Sequence, residues 1–273
     1  MSIQLISMLM ILKIEASSFS FMKLSVNLNK IALIRNSRGS NNPSLIDYAS
    51  QCIELGVDGL TLHPRPDHRH ATSEDAINLS KLCKDHNIEF NLEGNPFSMP
   101  DGAFIGFQEL CAQANPHQVT LVPDNLQQIT SDHGWQPGFL DNELKGFIGS
   151  LIDSNARTSL FIDANAQAVE YADSIGFDRV EIYTGPFAKS LEERDQANLA
   201  LCKSNIIECI NLAKQSMLGI NAGHDLNLDN LPHLIECGSV DEVSIGHAII
   251  TDALKFGFED TIMKYIKAVR KNY

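Results

Sequence analysis

Short apolar runs rich in β-branched residues alternate along the chain with longer segments of helical periodicity. The short runs predict eight strands, at about 24–28, 58–62, 88–92, 118–122, 158–162, 179–183, 217–221 and 241–245. The longer segments predict helices at about 44–55, 73–86, 104–114, 140–155, 165–175, 192–215, 228–236 and 258–271. This alternation is typical of a parallel sheet in which a helix follows each strand.

Eight regular units with no break in composition predict an α/β protein made of a single (β/α)8 TIM barrel, with its active site at the C-terminal ends of the strands. An open doubly wound sheet is the alternative, although it rarely contains eight regular units. Gly56 and Gly176 each stand between a predicted helix and the next strand, as expected for a C-terminal helix cap. Ser73 resembles the start of a helix.

The first residues of the chain are apolar but too few to cross a membrane. Residues 3–14 form a run of about twelve, whereas a bilayer span needs roughly twenty. A secretory signal peptide is an alternative, but no basic segment precedes the run and no small-residue cleavage site follows it. We expect residues 1–21 to be an N-terminal extension, Met22 to be the natural start, and residues 22–273 to form the catalytic domain.

Composition narrows the classes of partner. The chain has 273 residues, 44% of them hydrophobic, and a formal net charge of −13. This acidic balance argues against nucleic acid or an anionic membrane as a partner, but small anions can still bind where basic residues cluster. The six cysteines form no CxxC pair and no regular framework, so we expect reduced thiols in a cytoplasmic protein.

Polar or ionisable side chains follow nearly every predicted strand. In chain order they are Asn27, Asn29, His63, Arg65, Glu93, Asp163, Glu181, His224 and His247. A single histidine or glutamate at such a position is more often a structural residue than a catalyst. Their recurrence around one end of a barrel, where enzymes of this fold place their catalytic groups, favours an active site.

Two segments suit phosphate binding. Residues 63–70 contain two prolines that restrict the backbone around Arg65, and a fixed guanidinium can make bidentate contacts with phosphate. Strands seven and eight lead into Gly223 and Gly246, and the loops after these strands are the usual phosphate site of the fold. The alternatives are a solvated basic face in the first segment and tight turns without a ligand in the second.

The residues available at the strand ends limit the chemistry. A metal site would need His63, Glu93, His224 and His247 to converge, but the first strand lacks the paired histidines that many metal-dependent barrel hydrolases place there. We therefore predict no metal. No strand ends in a lysine, and Lys189 lies in a predicted loop, which disfavours a Schiff-base aldolase. Two carboxylates and three histidines remain, a set suited to proton transfer on phosphorylated substrates without a cofactor.

Several segments together resemble the pyridoxine 5'-phosphate synthase family. The similarity runs in order from about residue 23 to the C-terminus, through residues 25–39, 62–70, 91–93, 121–124, 181–185, 221–224 and 244–249. The resemblance implies condensation of 3-amino-2-oxopropyl phosphate with 1-deoxy-D-xylulose 5-phosphate, which gives pyridoxine 5'-phosphate, inorganic phosphate and water. It also implies a homo-oligomer in which dimers assemble into octamers.

The resemblance further implies roles for individual residues. His63 and Glu93 match the family's catalytic bases, His224 its catalytic acid, and Glu181 a carboxylate that stabilises charged intermediates. The positions that hold the aminoketone phosphate are matched by Asn27, Arg38, Asp225, Gly246 and His247. Those around the pentulose phosphate are matched by Asn29, Lys30, Arg65, His70 and Thr130.

Two positions depart from the family pattern. Asn29-Lys30 replaces a frequent Asp-His pair, and we expect the activity to survive this change. Asp225 replaces a frequent glycine, so we expect it to contribute only its main chain.

A sugar-phosphate isomerase or epimerase remains as a rival function, but it would need only one phosphate site. A barrel that only binds or acts as a scaffold should carry apolar or small residues at 63, 93 and 224, and this chain does not.

Residues 123–139 form a long segment that predicts a lid over the active site. A lid would protect imine and enamine intermediates from water during the reaction. We expect it to contain Thr130, to use Gly134 and Gly138 as hinges, and to change the fluorescence of Trp135 when the pentulose phosphate binds. The alternative is a passive surface loop.

Overall fold

Eight parallel strands pair in chain order and close into a barrel, the last strand pairing with the first. The computed structural model of the chain describes residues 21–125, 127–151 and 154–270. The strands are β1 (Lys23–Asn27), β2 (Gly59–Leu62), β3 (Glu89–Gly94), β4 (Gln118–Leu121), β5 (Arg157–Ile162), β6 (Arg179–Tyr183), β7 (Gly219–Gly223) and β8 (Glu242–Ile245). Each lies within two residues of its predicted bounds, and the predicted (β/α)8 barrel is confirmed.

The helices surround the barrel and connect its strands. They are α1 (Asn29–Asn36), α2 (Leu45–Leu55), α3 (Ser73–Asp85), α4 (Phe107–Ala114), α5 (Asp141–Leu151), α6 (Ala166–Ile175), α7 (Gly185–Glu192), α8 (Gln196–Gln215), α9 (Leu231–Ile235), α10 (His247–Phe256) and α11 (Phe258–Arg270). The predicted N-terminal extension lies outside the described residues except for Phe21.

Three helices were missed or left without bounds by the sequence pattern, and all three begin at the active-site end of the barrel. Helices α1, α7 and α10 each start two residues after a strand ends. So short a connection leaves no room for the turn residues that mark a helix start. The predicted helix at 192–215 therefore begins too early: α7 ends at Glu192, and Asp195 caps α8 by accepting from the main-chain N–H of Asn198 at 3.1 Å.

The predicted helix caps are mostly confirmed. Gly56 and Gly176 end α2 and α6 in the left-handed conformation, with φ of 88° and 99°. Helix α3 is capped one residue earlier than predicted, because Thr72 and Asp75 form a reciprocal capping box. Asp75 also forms an ion pair with Arg35, which fixes the C-terminal end of α1 against α3.

The apolar core lies between the barrel and the helices, and the barrel interior is polar. Alternate strand residues such as Val180 and Ile182 face outward and are fully buried in the core. The inward positions of the middle layers carry small polar side chains: Ser25, Thr61, Asn91, Thr120, Ser159, Asn221 and Ser244. They bond to one another, as Ser25 does to Thr61 at 2.7 Å and Thr120 to Asn91 at 3.0 Å. Polar residues therefore occupy an interior that most barrels fill with Val, Ile and Leu.

Charged residues close the N-terminal mouth of the barrel. Glu89 contacts Arg157 at 2.5 Å and Lys23 at 3.8 Å. Arg179 donates to the side chain of Asn221 at 2.6 Å. Asn221 in turn donates to the buried Glu242 at 3.4 Å, so the charged layer joins the polar interior above it.

Two further observations concern the cysteines and the possibility of a membrane span. All six cysteines are free, and Cys52, Cys83, Cys111 and Cys209 are buried within helices. Among residues 21–125, 127–151 and 154–270, no helix is both long and apolar enough to cross a membrane.

Candidate active site

A cavity of about 1640 Å³ opens at the C-terminal mouth of the barrel. It is lined by thirteen of the fourteen residues to which the family resemblance assigns roles: Asn27, Asn29, Lys30, His63, Arg65, His70, Glu93, Thr130, Glu181, His224, Asp225, Gly246 and His247. Asp163, selected only as a strand-end residue, does not line it. The thirteen lining residues come from the ends of six different strands and from the segment after β4. The fold therefore brings residues far apart in sequence around one space, as the strand-end argument requires.

Arg38 is the exception. It is exposed on the turn after α1 and does not line the cavity. Helix α1 is held by the Arg35–Asp75 ion pair, and Asn36 donates to the main-chain oxygen of His70 at 2.7 Å. These contacts fix where the turn after α1 begins. Arg38, on that turn, therefore lies outside the cavity in which the resemblance would place it.

Two buried glutamates face each other inside the cavity. Burial, and then the neighbouring charge of Glu181, raises the pKa of Glu93 well above its usual range. Among the described residues, Glu93 accepts two long hydrogen bonds, from Asn27 at 3.4 Å and from Asn91 at 3.5 Å. Burial also raises the pKa of Glu181, to about 7. Gly223 makes room for Glu181, since a Cβ at 223 would lie 2.4 Å from its Oε1.

His63 stands between two carboxyl groups. Its Nδ1 lies 3.8 Å from Glu93, and its Nε2 lies 3.3 Å from Asp124. Its main-chain N–H donates to Oδ1 of Asn29 at 3.0 Å, and the main-chain N–H of Asn29 donates to Asn27. The contact with His63 needs only an acceptor oxygen, which an amide supplies as well as a carboxylate. Asn29 can therefore do here what an aspartate would do.

His224 is held by contacts on both ring nitrogens. Its Nε2 lies 2.8 Å from the hydroxyl of Thr130, and its Nδ1 lies 3.1 Å from the carboxylate of Asp225. The contact with His224 holds the pKa of Asp225 below its usual range. His224 and Asp225 are both left-handed, with φ of 82° and 57°. The side chain of Asp225 therefore contacts His224, while its main-chain contribution to substrate binding stays a prediction. The loop after β7 also differs from that after β8, since it does not start a helix at once.

Groups suited to bind anions lie at two places on the cavity wall. At the first, Gly246 and His247 begin α10, whose N-terminal N–H groups favour negative charge. At the second are Arg65 and His70. Burial and the neighbouring His63 lower the pKa of His70 to about 3, so it is neutral. Its Nδ1 is buried without a hydrogen-bond partner among the described residues.

In the segment 123–139, residues 129–131 line the cavity, and hydrogen bonds tie the described part of the segment to the opposite wall. Arg65 donates to the main-chain oxygen atoms of Asn125 and Gln128, at 2.6 and 3.1 Å. Arg69 donates to the main-chain oxygen atoms of Gln128 and Ile129, at 2.8 and 3.0 Å. The hydrogen bond between Thr130 and His224 adds a third tie. The segment is therefore held over the site by side chains that line the cavity.

The end of this segment is anchored. The indole of Trp135 is buried and donates to the main-chain oxygen of Leu121 at 2.9 Å. A Cβ at Gly134 would lie 2.1 Å from the main-chain nitrogen of Asp163. Gly134 is thus required for close packing against the end of β5. Its role as a hinge and the fluorescence change of Trp135 stay predictions.

Three features of the site escaped the sequence. Asp124 lies three residues after the end of β4 and could have been selected by the strand-end rule, as Asp163 was after β5. Nothing in the sequence around Arg69 distinguishes it from an arginine exposed to solvent. Lys189 was assigned to a loop but lies in α7, where it lines the cavity. Among the described residues, no three His, Cys, Asp or Glu side chains are arranged to hold a metal ion.

Comparison with known proteins shows the family. Residues 24–271 match the model of the family described as pyridoxal phosphate biosynthesis protein PdxJ. The chain is 43% identical over 252 residues to pyridoxine 5'-phosphate synthase of Xanthomonas axonopodis pv. citri, which covers 92% of this chain and 98% of the relative. It is 44% identical over 249 residues to the enzyme of that name from Xylella fastidiosa, with 89% and 93% covered.

Solved structures with low sequence identity share the fold alone. Tryptophan synthase from Mycobacterium tuberculosis gives a TM-score of 0.61 at 10% identity, covering 92% of this chain and 93% of that one. Thiamine phosphate pyrophosphorylase from Pyrococcus furiosus gives 0.57 at 11%, covering 92% and 96%. The identity over nearly the whole chain, together with the family match, is decisive: this chain belongs to the PdxJ family.

Proposed function

We propose that this chain catalyses the condensation of 3-amino-2-oxopropyl phosphate with 1-deoxy-D-xylulose 5-phosphate to pyridoxine 5'-phosphate, inorganic phosphate and water. Family membership and relatives named pyridoxine 5'-phosphate synthase support the activity. The observation that carries the proposal is a pair of buried glutamates with raised pKa, Glu93 and Glu181, in one cavity with two anion-binding regions. Two phosphorylated substrates and several proton transfers require both features.

The surroundings of each acid–base group indicate which proton transfer it carries out. A carboxyl group with a pKa near 7, such as that of Glu181, can both accept and donate a proton at neutral pH. The raised pKa of Glu93 makes its carboxylate a stronger base than an ordinary glutamate, as proton abstraction from a substrate requires. His63 is the second base. His224, bridged to Thr130 and Asp225, is placed to protonate a leaving oxygen at the covered side of the cavity.

The two anion regions suit the two phosphates. We assign the aminoketone phosphate to the start of α10, where Gly246 and His247 present a helix N-terminus beside Asn27 and Asp225. We assign the pentulose phosphate to a second group of residues, Asn29, Lys30, Arg65, His70 and Thr130. Arg38 matches a family position for the aminoketone phosphate, but its location outside the cavity gives it no part in this assignment.

Incubation of the purified protein with both substrates tests the proposal. We expect a pyridinol chromophore to appear, with one inorganic phosphate released for each product formed. Glu93→Gln, which keeps the shape of the side chain but cannot exchange a proton, is the control. Absence of product with folded protein would contradict the proposal. Turnover of the pentulose phosphate alone, to an isomer or epimer, would support the rival activity instead.

The family resemblance also leads us to propose a homo-oligomer, with dimers that assemble into octamers. Light scattering at micromolar concentration measures the mass directly. A monomeric mass would contradict this part of the proposal without affecting the reaction.

A further inference from the structure

Asp124 is a buried carboxylate that the assignments above do not use. It lies three residues after the end of β4 and is 6% exposed. Its main-chain oxygen accepts from the side-chain amide of Asn95 at 2.9 Å, which fixes the residue in place. Its Oδ2 lies 2.9 Å from Nη2 of Arg65 and 3.3 Å from Nε2 of His63. One carboxylate oxygen thus contacts both a predicted base and a predicted phosphate ligand.

The imidazole of His63 separates two cavities. His63 and Glu93 line the large cavity in which the substrates are expected, and Asp124 does not. A second cavity of about 420 Å³ lies on the other side and is lined by His63, Arg65 and Asp124. The Nδ1 edge of the ring faces Glu93, and the Nε2 edge faces Asp124. The two ring nitrogens therefore have different surroundings.

The charge on Asp124 makes it an acceptor. Burial by itself would raise the pKa of Asp124, but the guanidinium of Arg65, 2.9 Å from Oδ2, favours the ionised carboxylate even when His63 is neutral. An ionised carboxylate can only accept hydrogen bonds. Because Arg65 contacts the same oxygen, the carboxylate has little tendency to take a proton from the ring. It can orient the imidazole without deprotonating it.

We propose that Asp124 is a positioning residue that holds neutral His63 with its proton on Nε2, so that Nδ1 is the basic atom and faces Glu93 and the substrates. The partner of one ring nitrogen decides which nitrogen carries the proton. The opposite tautomer would direct the Nε2 lone pair at a carboxylate, which is repulsive. The consequence for catalysis rests on the proposed function, whereas the tautomer does not.

The position of the proton can be measured without any substrate. Long-range ¹H–¹⁵N correlation spectra of the full chain distinguish a protonated ring nitrogen from one with a lone pair. The signals of His63 are identified by their loss in His63→Ala, since the chain has nine histidines. Spectra are compared at about pH 8.5, above the ordinary histidine pKa of about 6.5. We expect the proton of wild-type His63 on Nε2.

Asp124→Asn tests the cause. An asparagine side chain can donate its amide hydrogen to Nε2, so we expect the His63 proton to move in part or wholly to Nδ1. In the proposed reaction, kcat should fall about 10–100-fold, the usual cost of losing such an orienting partner, with little change in KM. Asp124→Glu should restore part of the kcat and the wild-type tautomer. Asp67→Asn is the matched control, because Asp67 is a carboxylate of the neighbouring loop that contacts Arg69 and not His63.

Each outcome decides the proposal. A proton on Nδ1 in the wild type would overturn it, even if Asp124→Asn failed to fold. An unchanged tautomer and kcat in a folded Asp124→Asn would do the same, as would an equal change of tautomer in Asp67→Asn. If the tautomer behaves as expected but no pyridoxine 5'-phosphate forms, the positioning by Asp124 stands and the proposed function fails.

Discussion

The two ends of β3 each carry a glutamate whose side chain faces the barrel interior, and the two differ in almost every other respect. Glu89, at the N-terminal mouth, contacts Arg157 at 2.5 Å and Lys23 at 3.8 Å. Glu93, four residues later at the C-terminal mouth, is met by two amide groups at 3.4 and 3.5 Å, by the imidazole of His63 at 3.8 Å and by other acidic side chains, and no arginine or lysine pairs with it among its described contacts. The first carboxylate is neutralised by its neighbours, whereas burial and neighbouring acidic groups raise the pKa of the second.

This contrast shows how one strand serves both stability and chemistry. The alternation of a strand sends both side chains into the same interior space. What each carboxyl then does depends on whether a cation contacts it. In this fold generally, residues at the N-terminal face of the barrel serve stability and residues at the C-terminal face carry out catalysis. Four substitutions test the contrast here.

The largest effect is expected from Glu93→Gln. If Glu93 transfers protons, the amide should lower kcat by about 10²–10⁴-fold while the protein stays folded. Initial rates of pyridoxine 5'-phosphate formation measure the loss of kcat, and a thermal melt shows whether the variant is folded. Near wild-type turnover would remove Glu93 from the reaction and erase the contrast with Glu89.

Glu242 lies between the two extremes, since it is buried near the N-terminal mouth with no cation in direct contact among its described ion pairs. Burial, and then the charge of Glu89, raises its pKa to about 8. The unfolded chain releases this proton near pH 4.3. The folded state therefore keeps a proton that the unfolded state has lost, and stability should fall as the pH rises through this window.

The expected slope for this one group is up to about 1.4 kcal/mol per pH unit between about pH 5 and 8. Glu242→Gln should flatten the pH dependence and make the protein more stable than wild type near pH 8. Urea unfolding at a series of pH values measures both. An identical pH dependence in wild type and variant would show that Glu242 is ionised in the folded protein.

Glu89→Gln is the counterpart of Glu93→Gln, with the same substitution on the same strand and the same face. The side chains of Arg157 and Lys23 are 40% and 50% exposed, so water weakens their ion pairs with Glu89. Removing the carboxylate should therefore cost little stability. We expect about 1 kcal/mol of lost stability, less at high salt, and an unchanged kcat. A drop in kcat as large as that of Glu93→Gln would show that the mouths are not functionally separate.

The smallest effect is expected from Thr130→Ala, which removes one tie of the covering segment. The hydroxyl contributes about 0.5–1.5 kcal/mol as one hydrogen bond, so KM for the pentulose phosphate should rise about 2–10-fold. The aminoketone phosphate, assigned to the start of α10, should be affected less. Limited proteolysis of residues 123–139 with and without the pentulose phosphate measures the covering directly. Equal cleavage at saturating substrate, with both KM values unchanged, would leave this segment a passive loop.

The sequence by itself determined the eight strands to within two residues, the closed barrel, and the cavity-lining residues at the strand ends. It could do so because strand alternation, helix caps and strand ends are local patterns. The family resemblance, and no local pattern, selected Lys30, His70, Thr130 and Asp225. The tertiary structure alone decided that α1, α7 and α10 start directly at the cavity, that Arg38 lies outside it, and that Asp124 contacts His63. It also decided that Glu89 is paired with cations and Glu93 is not. Contacts and pKa values depend on which distant residues approach in space and exclude water, and no local pattern in the chain encodes that.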